Sequence, residues 1–198
     1  MIGRSPVPKP PSIRTMLSAG GHKLDVGCAR EVAALILAQP RKLRQLVECL
    51  CDPDPGIANR AVDALERASA QKPAILAPWK DLLLGRMADA TEKKLRWNLA
   101  LLVSRIELSP HEIERAASIL RTYLDDSSSL VKTAAMHGLA GLARQSPAML
   151  PEVLDLLRML SRSGTPAMRA RGRILLSHLE TSGRRSSRAG SGLQSPFA

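Results

Sequence analysis

Five apolar positions recur along this chain at intervals suited to a helical repeat. Leu24, Ile57, Leu95, Val131 and Met168 stand 33, 38, 36 and 37 residues apart. Four positions after them come Cys28, Ala61, Leu99, Ala135 and Gly172, small in most cases, and eight positions after them Val32, Leu65, Val103, Leu139 and Leu176. An anchor, a small residue one turn on and a large one two turns on make the buried stripe of an amphipathic helix. About sixteen residues after the first four anchors a proline recurs, at Pro40, Pro73, Pro110 and Pro147, each before a second amphipathic segment. Proline suits the first helical position, because the donor it lacks would be unsatisfied there anyway.

Segments 72–84 and 146–157 resemble each other closely, Lys72-Pro73-Ala74-Ile75-Leu76 beside Ser146-Pro147-Ala148-Met149-Leu150. Ser109-Pro110-His111-Glu112 and Asp89-Ala90-Thr91-Glu92 have capping-box spacing. Ser146-Pro147 and Thr165-Pro166 set a side-chain oxygen just before a helix start. Each unit is thus expected to be a helix, a turn and an antiparallel helix. A lone pair cannot bury its apolar face, so about five pairs stack into an all-α superhelix. Aromatic content of 2% leaves little material for strands, whereas Leu and Ala favour helices.

The repeats span residues 24–180. Residues 1–23 include Ser5-Pro6-Val7-Pro8-Lys9-Pro10-Pro11 and read as a flexible proline-rich arm. Residues 181–198, rich in Ser, Gly and Arg, read as a disordered tail. The net charge is +11, but the two flanks contribute +4 and +3, leaving +4 on the body. Cys28, Cys49 and Cys51 are too few for a disulfide framework. With no apolar leader and no run long enough to span a bilayer, a cytoplasmic setting without membrane attachment is expected.

The turns add a further pattern. Asp52 precedes Ile57, Asp89 precedes Leu95-Arg96, and Asp126 precedes Val131-Lys132. The last unit has Met168-Arg169 but Ser163 in place of the acid, and the Ile57 and Leu24 units have Ala58 and Asp25 in place of the base. An acid in the inter-helix turn followed by an apolar–basic pair resembles the HEAT-repeat superfamily. Arg96-Trp97-Asn98 and the segments 128–133 and 164–173 are similar to small bacterial HEAT-repeat proteins. The resemblance implies a curved solenoid that serves as a scaffold or adaptor, its second helices lining the inner face.

Candidate partner-binding residues follow from that frame. Arg96, Lys132 and Arg169 recur at one position per repeat and would form a basic ladder. The competing reading pairs each with a turn acid such as Asp89 or Asp126. Arg169, Arg171 and Arg173 form the densest basic cluster, suited either to phosphate contact or to a solvated end. Trp97, two positions past its anchor, faces either the groove or the next repeat, and Asn98 beside it reads as a satisfied interhelical group.

His22, His111, His137 and His178 are scattered, and no metal-ligand spacing, phosphate loop or nucleophile elbow occurs. No catalytic residue, cofactor or metal is therefore expected. The leading expectation is a non-enzymatic module that binds a protein partner in its concave groove. The alternative is duplex DNA on a basic face, as in the HEAT-like alkylation-repeat glycosylases, although no acid here matches that family's catalytic one. Bilin-lyase chemistry, known for shorter HEAT-type repeats, finds no supporting residue. Neither the partner's identity nor the oligomeric state follows from these residues.

Overall fold

The computed structural model describes residues 11–19 and 27–190, with side chains as far as Thr181. Every regular element among them is helical. The chain divides into two compact units, Met1–Pro73 and Ala74–Ala198.

The first unit holds α1 (Ile13–Ser18), α2 (Gly27–Ala38), α3 (Leu43–Glu48) and α4 (Pro55–Gln71). Asp54 caps α4 by accepting from the Gly56 amide, and Pro55 opens the helix. The anchor Leu24 lies outside the described residues; the buried face of α2 consists of Ala29, Val32, Ala33 and Ile36. Ile57, Ala61 and Leu65 are buried along α4 as the repeat requires.

Helix α1 stands inside the stretch read as an arm. The prolines end at Pro11, and Ser12 then caps α1 through the Thr15 amide. Ile13 and Leu17, one turn apart, are buried. Two longer links hold this short helix. Arg14 grips the Asp52 carboxylate through Nε at 2.6 Å and Nη2 at 3.2 Å, and Arg60 donates to the Leu17 carbonyl. The rest of the proline-rich segment, residues 1–10, lies outside the described residues.

The second unit holds α5 (Lys80–Asp89), α6 (Lys93–Val103), α7 (Pro110–Tyr123), α8 (Ser129–Gln145), α9 (Leu150–Ser163) and α10 (Pro166–Gly190). The pairs are α5–α6, α7–α8 and α9–α10, and α8 lies between α6 and α10 in a row of second helices. Packed by α6, α7, α9 and α10, α8 buries Val131, Ala135, Leu139 and much of its remaining surface. Packed by α8 and α9, α10 buries a narrower stripe of Met168, Leu175 and Leu179, and the expected Leu176 is only half-buried. The tail expected from residue 181 continues α10 to Gly190, and residues 191–198 lie outside the described ones.

Of the four recurring prolines, only Pro110 opens an α-helix directly. Pro40, Pro73 and Pro147 open 3-10 turns that lead into α3, α5 and α9. The capping box at Ser109 and Glu112 forms. The one expected at Asp89 and Glu92 does not, because Asp89 still belongs to α5 and Glu92 itself occupies the position before α6.

The tightest approach is between α8 and its neighbours. A Cβ built on Gly141 would lie 2.5 Å from the Ser104 Cβ and 2.9 Å from its Cα. One on Gly138 would lie 2.9 Å from the Ala100 carbonyl oxygen. Glycine at both positions lets α8 sit directly against α6.

Candidate functional site

All six candidate residues fall in the second unit. Arg96, Lys132 and Arg169 are each the fourth residue of their helix, on α6, α8 and α10. The expected ladder is thus a real register, but its rungs are not equivalent.

Arg96 is committed to internal contacts. Its Nε donates to the Ala90 carbonyl at 2.7 Å and its Nη1 to the Asp126 carboxylate at 2.7 Å. Its guanidinium carbon lies 5.3 Å from the Tyr123 ring centroid, a cation–π contact. The Tyr123 hydroxyl in turn donates to the Met87 carbonyl. Asp126, whose side chain is 4% exposed, also accepts from the Ser128 amide at 2.7 Å. Burial pushes the Asp126 carboxyl up, but the Ser128 amide, Arg96 and Lys93 outweigh it, so the net shift is downward. Arg96 therefore fastens the turn before its own helix to the turn of the next pair. The first unit repeats the device with Arg14 and Asp52, where Asp52 also accepts from the Asp54 amide at 3.0 Å.

Arg169 donates to the Gly164 carbonyl at 3.1 Å and remains exposed, while Lys132 is half-buried with no ion pair. Arg171 and Arg173, two residues apart, diverge around α10. Arg173 lines a shallow cleft of about 400 Å³ with Arg158, Leu176, Ser177, Glu180 and Thr181. Arg171 lies within electrostatic reach of His137 on α8. Trp97 is half-buried, with Leu101 and Arg105 following at four-residue spacing. Asn98 is buried and donates to the Lys94 carbonyl of its own helix at 3.0 Å, where an interhelical bond was expected.

The two helix rows differ sharply in charge. The first helices α5, α7 and α9 carry six basic and six acidic residues. Several pair between neighbouring helices: Lys80 with Glu112 at 2.7 Å, and Arg121 with both Glu152 oxygens at 2.8 and 3.0 Å. Glu112 is held down at about 2 by Lys80, then by the Ser109 amide and hydroxyl. As far as Thr181, the second helices α6, α8 and α10 carry Lys93, Lys94, Arg96, Lys132, Arg144, Arg169, Arg171 and Arg173 against a single acid, Glu180. That acid is met by Arg158, reaching from α9 at 3.4 Å.

Two large apolar side chains lie open on the same row. Leu130 on α8 is 56% exposed and Ile174 on α10 is 48% exposed. Leu130, His137 and Arg144 recur every seven residues, two helical turns, so they share one stripe of α8. Arg171 and His178 do the same on α10, with Ile174 close to their line. The candidate site is therefore the second-helix row of this unit, rich in basic side chains that point several ways around their helices, with Leu130 and Ile174 open on it. Sequence reading had not singled out Leu130, Arg144 and Ile174 and took His137 and His178 only as scattered histidines, although segments 93–103 and 129–145 contain no Asp or Glu at all.

In the first unit, a cleft of about 290 Å³ is lined by Ser12, Ile13, Arg14, Gln45, Glu48, Cys49 and Asp52. Burial, and then Asp52, push the Cys49 thiol up, which keeps it protonated and a weak nucleophile. No group of His, Cys, Asp and Glu among the described residues could hold a metal ion, and no described helix is long and apolar enough to cross a membrane.

No protein-family model and no curated protein matches the chain. Among solved structures, an engineered protein superposes with a TM-score of 0.60 at 16% identity, over 85% of this chain and 79% of its own. A designed armadillo repeat protein in complex with the peptide (KR)4 superposes with a TM-score of 0.57 at 16% identity, over 84% of this chain and 80% of its own. Stacked helix pairs, buried stripes and these two likenesses together give the chain the fold of the armadillo- and HEAT-like helical-repeat solenoids.

Proposed function

We propose that the chain is a non-enzymatic binding module that holds an acidic, partly apolar protein segment against the second-helix face of residues 74–198. In the solenoid scaffolds that the sequence resembles, the second helices line the inner face, which supports reading this row as the concave one. The observation that carries the reading is the segregation of charge: the first-helix row is neutral and paired across its helices, whereas the second-helix row carries eight basic residues and one acid. Exposed Leu130 and Ile174 supply apolar anchors within the basic field. A designed armadillo repeat protein of similar fold is in complex with a basic peptide, and the basic row here suits an acidic one. The three cysteines, none in a disulfide, fit work in the cytoplasm.

Duplex DNA on the same basic face is the second reading, favoured by the same excess of Arg and Lys. Phosphate contact has no use for Leu130 and Ile174, and Arg96 is already spent on Asp126. Fluorescence anisotropy separates the two. Labelled (Glu-Leu)4 is expected to bind more tightly than (Glu-Ser)4, (Lys-Leu)4 or a 20-base-pair duplex at moderate salt. A duplex that binds best, with affinity falling steeply as salt rises, transfers the face to nucleic acid. Failure of every probe removes the face as an interface.

A further inference from the structure

The buried anchors Leu95, Val131 and Met168 put α6, α8 and α10 in one register, so positions counted from them match across the row. One position before the anchors stand Lys94, Leu130 and Ala167, and six after them Leu101, His137 and Ile174. Between these rungs, two after the anchors, lie Trp97, Thr133 and Ala170. Those three offsets fall within about 60° around a helix, so each helix turns its three residues toward one side. None of the nine is buried, and Leu130, Ala167, Ala170 and Ile174 are exposed. Together they make an open strip across three helices, with six apolar side chains and no acid.

The strip runs two turns along each helix, about 10 Å. Glycine contacts hold α8 against α6, and packed helices stand about 8–10 Å apart, so three rungs span roughly 16–20 Å. One helix about 10–12 Å across covers that area, as does an extended segment of about six residues. Backbone needs separate the two. An extended segment must find partners for its own N–H and C=O groups, which a sheet edge supplies in strand addition and this all-helical row does not. The six apolar side chains offer one polar atom among them, the Trp97 indole Nε1. The Thr133 hydroxyl already donates to the Leu130 carbonyl at 2.9 Å, and the His137 Nδ1 is shut away from solvent. Lys94, at one corner, has an interaction of its own within the chain. A helix arrives with its backbone bonds already made.

We infer that the strip takes an amphipathic helix of the partner, about 12 residues long, laid across α6, α8 and α10 with its apolar stripe on Trp97, Leu101, Leu130 and Ile174. The inference rests on the acidic-segment reading and gives that segment its conformation. Acidic residues bordering the helix's apolar stripe then meet Arg144 and Arg171, both exposed. Arg144 continues the line of Leu130 and His137 on α8, and Arg171 stands one turn from Ile174 on α10.

Two fluorescein-labelled peptides of one composition test this on the full chain. Glu-Leu-Gln-Glu-Leu-Leu-Gln-Glu-Leu-Gln-Glu-Leu-Leu-Glu sets its leucines at helical spacing, and Glu-Leu-Gln-Leu-Glu-Leu-Gln-Leu-Glu-Leu-Gln-Leu-Glu-Glu sets them at alternate positions. The helical form is expected to bind about tenfold more tightly by anisotropy, and circular dichroism of the complex to show more helix than the sum of its parts. Leu130→Ser with Ile174→Ser, both at exposed positions, lowers that affinity about tenfold while the chain keeps its own helical signal. If the alternating peptide binds as tightly as the helical one, the helix is overturned and the acidic-segment reading stands. If neither binds, both fall. If the double variant binds the helical peptide as well as the parent does, the strip is not the site. If sedimentation shows the free chain to be a dimer that the double variant splits, a second copy covers the strip; either of these results also overturns the inference.

Discussion

Replacing Gly141 by alanine and, separately, Gly85 by alanine makes the same chemical change in two helices of the same unit, and the expected effects have opposite signs. At Gly85, on α5, an added Cβ meets nothing within 4 Å. Alanine there gains only from the reduced backbone freedom of the unfolded chain, about 0.5–1 kcal/mol. At Gly141 the added Cβ would lie 2.5 Å from the Ser104 Cβ, 2.9 Å from its Cα and 3.2 Å from its carbonyl oxygen. Carbon atoms rest about 3.5–4.0 Å apart, so α8 and the end of α6 must separate by roughly 1 Å. These obstructing atoms cannot rotate aside.

Overpacking of this kind costs about 1–3 kcal/mol, and a clash with backbone belongs at the upper end. Subtracting the propensity gain of alanine, about 1 kcal/mol, leaves a net loss of about 1–2 kcal/mol. Urea unfolding followed by circular dichroism reads both variants. Gly85→Ala is expected to raise the midpoint and Gly141→Ala to lower it, with the two about 2 kcal/mol apart. A Gly141→Ala protein as stable as the parent would refute the argument, since α8 could not then lie against Ser104.

Three further outcomes are expected. Tyr123 is the chain's one tyrosine, and its hydroxyl, pushed up to about 12 mainly by burial, should show no phenolate absorbance at pH 10–11; because the folded value is raised, ionisation favours the unfolded chain and stability declines between pH 10 and 12. His137 is depressed to about 4, so the unfolded chain binds the extra proton as pH falls from 6.5 to 4 and stability drops across that window; His137→Gln should flatten this slope in urea midpoints measured at pH 7, 6 and 5. Arg96→Ala leaves the nearly buried Asp126 without its partner and should cost about 1–2 kcal/mol after allowance for solvent on the arginine, whereas Lys132→Ala should change the urea midpoint little.

The repeat was legible because each helix must carry its own buried stripe, and the anchors Ile57, Leu95, Val131 and Met168 are all buried. Helix α1 was hidden by its brevity: six residues after a proline run give one turn and a half of pattern, and its links to Asp52 and Arg60 come from 38 and 43 residues away. The Asp126 partner of Arg96 was foreseen as one of two acids, but Asp89 was the nearer in sequence and makes no such bond. The aspartate of the next pair wins because stacking sets the two turns side by side. The surroundings of His137 were not legible. Its neighbours come from three helices, and dispersed histidines gave no spacing to read. A row-by-row tally of charge would have exposed the face, but rows emerge only after the helices have been paired.

The basic excess of the second-helix row also bears on the rate of encounter. Its one acid is met by Arg158, so the row's own charge is mostly of one sign even with Arg96 held by Asp126. Such a surface collects oppositely charged chains from solution faster than unaided diffusion, an advantage that extends about 10 Å at 0.1 M salt. Apolar anchors act only after contact and set how long a partner stays. Added salt should therefore slow capture and leave release nearly unchanged, so that association and dissociation in this protein answer to different side chains.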